Sequence, residues 1–444
     1  MPMRKRFTVD HSAYLDFAKS ESGAAVLLVI AAGIALVWAN SPWADSYFAI
    51  REVELAAQFY DYTLSIDLLH FVDDFLMMFF FLVIGLEVKR ELLLGELSNP
   101  RDAVLPFVAA VGGVVVPVAI FLAFTAGTEA ARGWAIPMAT DIAFALGVLA
   151  LLGDRVPLSL RVFLTALAIV DDIVAVGVIA LVYTENVSIQ PLLIAVAGLA
   201  TIFVAGRLKV RALGFYVPIA LVVWLAVYLS GLHAAVAGTL IALTIPMRST
   251  VKPEQFIERA EESLDYLRQC ELTDTSLVTE HAQLEAAVDL ERVSREMQPP
   301  GVQLEHYFHP VAAYLVLPAF AFMNAGVAFD GPILEMLTSA VALGIILGLV
   351  VGKQIGVTGF AWLSIRLGWA NKPEGAGMRQ IYSASWLTGI GFTMSLLIAS
   401  RAFEGSVYED QARAAVLVAS LIAAVGGYVL MRITNKENAE PATE

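Results

Sequence analysis

The sequence predicts an all-α polytopic membrane protein with about twelve transmembrane helices, and three observations predict it. The first is composition. Of 444 residues, 58% are hydrophobic and 16% charged, with a mean hydropathy of +0.73; soluble domains run nearer roughly 45–50% apolar and about 25% charged. The second is the set of long apolar runs, at 23–40, 71–88, 104–126, 134–152, 158–184, 190–206, 213–230, 232–247, 309–329, 334–362, 381–401 and 411–431. A helix crossing the hydrocarbon core needs about 20 such residues. The third is the placement of positive charge. With the N-terminus inside and loops alternating, 23 of the 28 Lys and Arg face the cytoplasm. Four (Arg51, Arg132, Arg401 and Arg413) face outside, and Lys353 lies within a span. That bias puts both ends inside and requires an even number of spans.

Other classes fall away on the same figures. The single cysteine, Cys270, has nothing to pair with in its own chain, so this is no disulfide scaffold. A net charge of −14 and a pI of about 4.9 exclude a nucleic-acid partner. No run alternates as barrel strands do.

In chain order, residues 1–22 are basic and polar with Phe7, Tyr14 and Phe17 interspersed. They suit a helix on the inner membrane surface and lack a signal-peptide pattern. Residues 23–247 hold spans 1–8. Within them the outer loop 41–70 mixes aromatic, β-branched and acidic residues, compatible with a packed β-hairpin or a loose loop. Spans 7 and 8 are divided at Ser230-Gly231, a helix-ending pair, because together they exceed one crossing. Residues 248–305 form a cytoplasmic insertion with 13 acids against 6 bases. Its stretch PEQFIERAEESLDYLRQ has helical spacing with charges at i,i+4, which reads first as a solvated helix. Residues 306–432 hold spans 9–12, and 433–444 a cytoplasmic tail.

Charges inside the spans carry the functional signal. An Asp or Lys at mid-helix costs about 2.5–3.5 kcal/mol on insertion scales. This chain has Asp74 and Glu87 in span 2, Asp141 in span 4, Asp171 and Asp172 in span 5, His233 at the start of span 8 and Lys353 in span 10. Adjacent carboxylates in low dielectric cannot both be charged cheaply, so Asp171 and Asp172 lose protons in coupled steps and a cation can displace those protons. That is a site where H+ and a small hard cation compete for oxygen ligands. The plain alternative is a pair satisfied by hydrogen bonds to neighbouring helices. Lys353, between Gly352 and Gly356, reads as a buried counter-ion, with snorkelling as its alternative.

Two spans read as interrupted. Span 4 carries Pro137 and then Thr140-Asp141; span 11 carries Thr388-Gly389-Ile390-Gly391. Unwound backbone at that depth is tolerated where it is buried in protein or lines a cavity. Two such segments in corresponding places mark an inverted-repeat transporter. Asp141 and Lys353 are placed to neutralise the partial charges of the half-helix ends.

The strings FFFLVIGLEVKREL (79–92), ATDIAFALGVLALLG (139–153), LTALAIVDDIVAV (164–176), SGLHAAVAG (230–238), LEHYFHPVAAYLVLPAFAFMNAGV (304–327), GKQIG (352–356) and SWLTGIGFTMSLLIA (385–399) resemble the NhaA-type sodium/proton antiporters, in the family's order, from about residue 20 to 432. The resemblance implies a non-enzymatic, multi-pass transporter of the bacterial inner membrane. It would exchange Na+ or Li+ for H+ electrogenically, under pH regulation, without a cofactor. By residue, it implies Asp172 as the essential cation-binding carboxylate and Asp171 as its neighbour, paired with Lys353. Thr140 and Asp141 fall on the unwound fourth helix, which crosses the broken eleventh. Glu87, Arg90, Glu91, Glu305, His306 and His309 resemble a cytoplasmic pH-responsive cluster, Asp74 a functional acid of span 2, and His233 a histidine tied to the pH profile. The loop after span 1 resembles a dimerising hairpin. The insertion 248–305 is longer than the family's short connection.

Rival readings remain at this stage. The cluster at 87–91 also reads as an ordinary solvated helix end. His306 and His309, three apart without further ligands, do not make a metal site. An intramembrane aspartyl protease needs two facing carboxylates, and Asp171 and Asp172 project about 100° apart on one helix, so Asp141 would have to be the partner. A passive channel lacks a filter repeat, and Na+-coupled transport of an organic anion would suit a similar fold.

Overall fold

The computed structural model describes residues 21–59, 62–184, 187–210, 212–247, 253–269, 288–292, 294, 298–329 and 332–435. The predicted surface helix at the N-terminus, most of the acidic insertion with Cys270, and most of the C-terminal tail lie outside the described residues.

The twelve apolar runs all fall on helical elements. In order these are α1 (Glu21–Ala39), a short α2 (Ala44–Arg51), the strands β1 (Glu54–Phe59) and β2 (Tyr62–Asp67), and α3 (Met77–Leu94), entered through a π turn at Phe71–Leu76. Then come α4 (Pro100–Thr125), a 3₁₀ helix (Glu129–Met138) leading to α5 (Ile142–Leu152), α6 (Leu158–Val182), α7 (Ile189–Arg207), α8 (Leu213–Leu229) and α9 (Ala234–Thr244). The insertion contributes α10 (Pro253–Gln269), the helix its i,i+4 charges predict. After it follow α11 (Pro300–Val311), a π turn and α12 (Leu317–Asn324), then α13 (Ile333–Leu337). The last are α14 (Ala340–Leu347), a π turn and α15 (Lys353–Arg366), the pair α16 (Met378–Thr388) and α17 (Phe392–Ala402), and α18 (Tyr408–Thr434).

Among the described residues, seven helical stretches are individually long and apolar enough to cross a membrane, and α16 with α17, bent by 45°, makes an eighth. The other four predicted runs sit on α3, α8, α9 and the α11–α12 chain, which are short, charged or interrupted by π turns. One boundary moves: the apolar run of span 9 begins at His309, but its helix begins at Pro300, so Glu305 and His306 ride on it. In the outer loop β1 and β2 pair antiparallel, from Glu54 opposite Asp67 to Phe59 opposite Tyr62, which selects the hairpin over the loose loop.

Lipid-facing residues are apolar and exposed, Val37 at 72% and Leu181 at 86%, as expected where the solvent is hydrocarbon. Between helices the packing depends on small residues. The closest crossing is α4 on α15: a Cβ built on Gly356 would lie 2.6 Å from the Gly112 carbonyl carbon and 3.2 Å from the Gly113 nitrogen. Backbone therefore touches backbone there. This crossing carries Lys353 into the protein interior, where it is 0% exposed.

Candidate functional site

Spans 4 and 11 are both unwound at mid-length, and the two breaks cross. Residues 139–141 are extended between the 3₁₀ helix and α5, and residues 389–391 separate α16 from α17. The Asp141 N–H donates to the Ile390 carbonyl at 2.7 Å, so the interrupted backbones satisfy each other rather than water. The Asp141 carboxylate then serves both outgoing half-helices. Its Oδ1 accepts from the Phe144 N–H in the first turn of α5 at 2.9 Å. Its Oδ2 accepts from the Thr393 N–H at 3.0 Å and the Thr393 hydroxyl at 2.5 Å, in the first turn of α17. One carboxylate thus caps two helix N-termini, where unpaired N–H groups and the dipole favour negative charge.

Asp171 and Asp172 reach the crossing from the middle of α6, 2% and 1% exposed. Lys353 Nζ donates to Asp171 Oδ2 at 2.5 Å and to Thr140 Oγ1 at 3.0 Å. Thr140 Oγ1 is itself 2.8 Å from both Asp171 Oδ2 and the Thr388 carbonyl. With a single hydroxyl proton it donates to one of these at a time. On the other side of Asp171 the arrangement is open: Asp171 Oδ1 and both oxygens of Asp172 are buried without a hydrogen-bond partner. Buried polar atoms are nearly always partnered, so these three bare oxygens on adjacent carboxylates stand out. The charges near enough to act on Asp172 are Asp171, Asp141, Glu87 and Lys353. Glu87 thus lies within electrostatic reach of Asp172 as well as at the helix end where the sequence groups it.

Two cavities open at opposite ends of the bundle. One, about 670 Å³, is lined by Leu97–Leu105, Pro157–Ala166 and Asn371–Glu374 residues, the end the charge bias assigns to the cytoplasm. Ala166, one of its lining residues, is five residues from Asp171, about 7.5 Å of helix rise. The other, about 630 Å³, is lined by Asp74, Arg132, Tyr183, Tyr228, Gly231, Leu232, His233, Arg401, Ala402 and Glu404. There Arg401 Nη2 donates to Asp74 Oδ1 at 2.9 Å. His233 Nδ1 accepts from the Ala235 N–H at 3.1 Å, which leaves the proton on Nε2, 3.9 Å from Asp74 Oδ1.

Of the residues that the resemblance groups at this helix end, some lie together. Arg90 Nε lies 3.3 Å from Glu305 Oε1 and Arg90 Nη2 3.6 Å from Glu91 Oε1, and His309 is near enough to act on Glu305. His306 is exposed with its ring against Tyr307; among the described residues no ion pair joins it to the others. Burial raises the Glu305 carboxyl above its ordinary range, with Arg90 and then His309 working against the shift.

Several groups were not singled out from sequence. Asp73, 4% exposed, accepts from Asn324 Nδ2 at 2.7 Å; its signal was the same Asp-Asp doublet read at 171–172. Charge placement puts Arg401 and Arg413 on the outer side, yet the Arg413 side chain is 3% exposed and the Arg401 side chain 15%. Lys89 Nζ donates to the Leu243 carbonyl at 2.7 Å and also to that of Ile245, holding the last turn of α9. Gln354, beside Lys353, is buried with neither amide atom partnered.

The chain matches the family described as Na+/H+ antiporter 1 over residues 15–431. A protein of Oleidesulfovibrio alaskensis named Na(+)/H(+) antiporter NhaA is 45% identical over 417 residues, covering 94% of this chain and 93% of that protein. A protein of the same name from Koribacter versatilis is 44% identical over 431 residues, covering 97% and 93%. One from Wolinella succinogenes is 41% identical over 419 residues, covering 94% and 92%. Family, fold and crossing breaks agree on a membrane transporter and not an enzyme: the chain belongs to the Na+/H+ antiporter family of NhaA type.

Proposed function

We propose that the protein exports Na+ or Li+ from the bacterial cytoplasm in exchange for external H+, electrogenically and under pH control, with both termini cytoplasmic. The observation that carries this reading is the set of three buried, unpartnered oxygens on Asp171 and Asp172. A carboxylate in that setting is satisfied either by protons or by a dehydrated cation. The two states exclude each other, and that exclusion is antiport.

From the inner cavity, Asp172 and Asp171 release protons and take the cation, with the Thr140 hydroxyl or the Thr388 carbonyl as further ligands. The two half-bundles then rock around the crossing, the cation leaves outward, and protons reload the carboxylates. Asp171 is held by Lys353, so a cation that draws Asp171 away also frees a proton from that pair. Two protons per cation make the exchange sensitive to membrane potential. The Arg90, Glu91 and Glu305 group, with Glu87 above it, supplies the pH response, and the β1–β2 hairpin joins two copies. Asp141 has both oxygens engaged in capping, which weighs against an aspartyl protease.

The test uses everted membrane vesicles with a pre-formed pH gradient and a pH-sensitive dye. NaCl and LiCl dissipate the gradient, and Asp172→Asn abolishes the response. Absence of any Na+- or Li+-dependent response across the neutral to alkaline range overturns the function. Full activity in Asp172→Asn overturns the site.

A further inference from the structure

We propose that Asp74 is a second cation and proton site at the outer end of the path, closed in this conformation by the guanidinium of Arg401. The inference rests on the antiport reading above and on the orientation read from Lys and Arg placement. Four elements meet at this point. Asp74 comes from the π turn before α3, Arg401 from the last turn of α17, His233 from the N-cap of α9, and Glu404 from the loop after α17. The carboxylate of Asp74 is 9% exposed and lines the outer cavity, with the 15% exposed Arg401 bonded to it.

Two features make this more than a structural ion pair. First, Arg401 has a second partner: its Nη1 is 3.9 Å from Glu404 Oε2, and Glu404 is 63% exposed at the cavity rim. A guanidinium displaced from Asp74 therefore moves to a carboxylate already beside it instead of being stranded. An arriving cation or proton takes its place, so Asp74 never stands bare in low dielectric, the state that costs most. The Nε2–H of His233, without a hydrogen-bond partner, faces the same carboxylate. Second, Arg401 and the transport site share one rigid element. Thr393, bonded to Asp141, is eight residues before Arg401 on α17, about 12 Å along the helix. A movement of the half-helix that opens the crossing also withdraws Arg401 from Asp74.

The experiment measures KM for Na+ separately at each membrane face: dye quenching in everted vesicles for the inner face, and radioactive sodium uptake into acid-loaded right-side-out vesicles for the outer face. Arg401→Gln removes the competitor and lowers the outer KM by about tenfold, a typical coupling between sites, with the inner KM little changed. Asp74→Asn raises the outer KM. The double variant Asp74→Asn with Arg401→Gln follows Asp74→Asn, because the site itself is gone. Arg401→Lys keeps the charge but not the two-nitrogen fork and lowers the outer KM less than Arg401→Gln, which guards against a simple folding defect in Arg401→Gln. A double variant that returns to wild-type kinetics shows two charges that only needed each other, and overturns the proposal. So do variants whose KM moves equally at both faces or only in maximal rate. A wild-type chain without Na+-dependent exchange overturns the antiport reading instead.

Discussion

Lys353 and Asp171 show how residue chemistry sets the working state. Each charge alone in this interior would cost several kcal/mol; together, at 2.5 Å with Thr140 alongside, they are tolerable, though a buried pair adds little net stability. On the proposed antiport mechanism, their value is that a cation can break the pair. Glu305 illustrates the same logic nearer the surface. Its carboxyl is raised by burial, so the folded protein holds that proton more tightly than the unfolded chain does. The stability this contributes is present in acid and lost as pH rises through the folded value. Glu305→Gln fixes the neutral form; if Glu305 takes part in the proposed pH control, activity against pH in everted vesicles is expected to shift to higher pH than in wild type. An unchanged profile removes Glu305 from the pH response.

At the scale of elements, the broken helices and the α4–α15 crossing matter most. Asp141 caps α5 and α17 together, so the two half-helices are tied through one side chain. The crossing of α4 on α15 leaves no room for a methyl group at Gly356, where the neighbours are Gly112 and Gly113 backbone. Gly356→Ala must push α15 outward, which carries Lys353 away from Asp171. The expected result is a loss of about 1–3 kcal/mol, as for overpacked cores, seen as a lower melting temperature in detergent together with reduced transport. Gly359, with nothing within 4 Å of a built Cβ, is the control: Gly359→Ala on the same helix is expected to leave both unchanged.

At the scale of the whole molecule, the hairpin differs in kind from the helices around it. The β1–β2 hairpin is an isolated two-stranded sheet, marginal by itself in water, which fits a role in pairing with a second copy. Deleting residues 54–67 is expected to halve the mass measured by light scattering in detergent while each chain keeps exchange activity. An unchanged mass places any dimer contact elsewhere. The apolar runs and the helices that carry them were legible from residue order because hydrocarbon thickness acts on each segment separately. The two breaks were legible too, since Pro137 and the Thr388–Gly391 string disrupt helix locally. What pairs with what was not. Asp74 with Arg401, Asp73 with Asn324 and Asp141 with Thr393 join residues 251 to 327 positions apart, and no local propensity encodes such contacts. The same holds for the outer arginines: a boundary good to a few residues cannot say whether a long side chain turns to water or inward. Hydropathy is summed over a window, whereas the bond that buries Arg401 depends on where one oxygen of another helix lies.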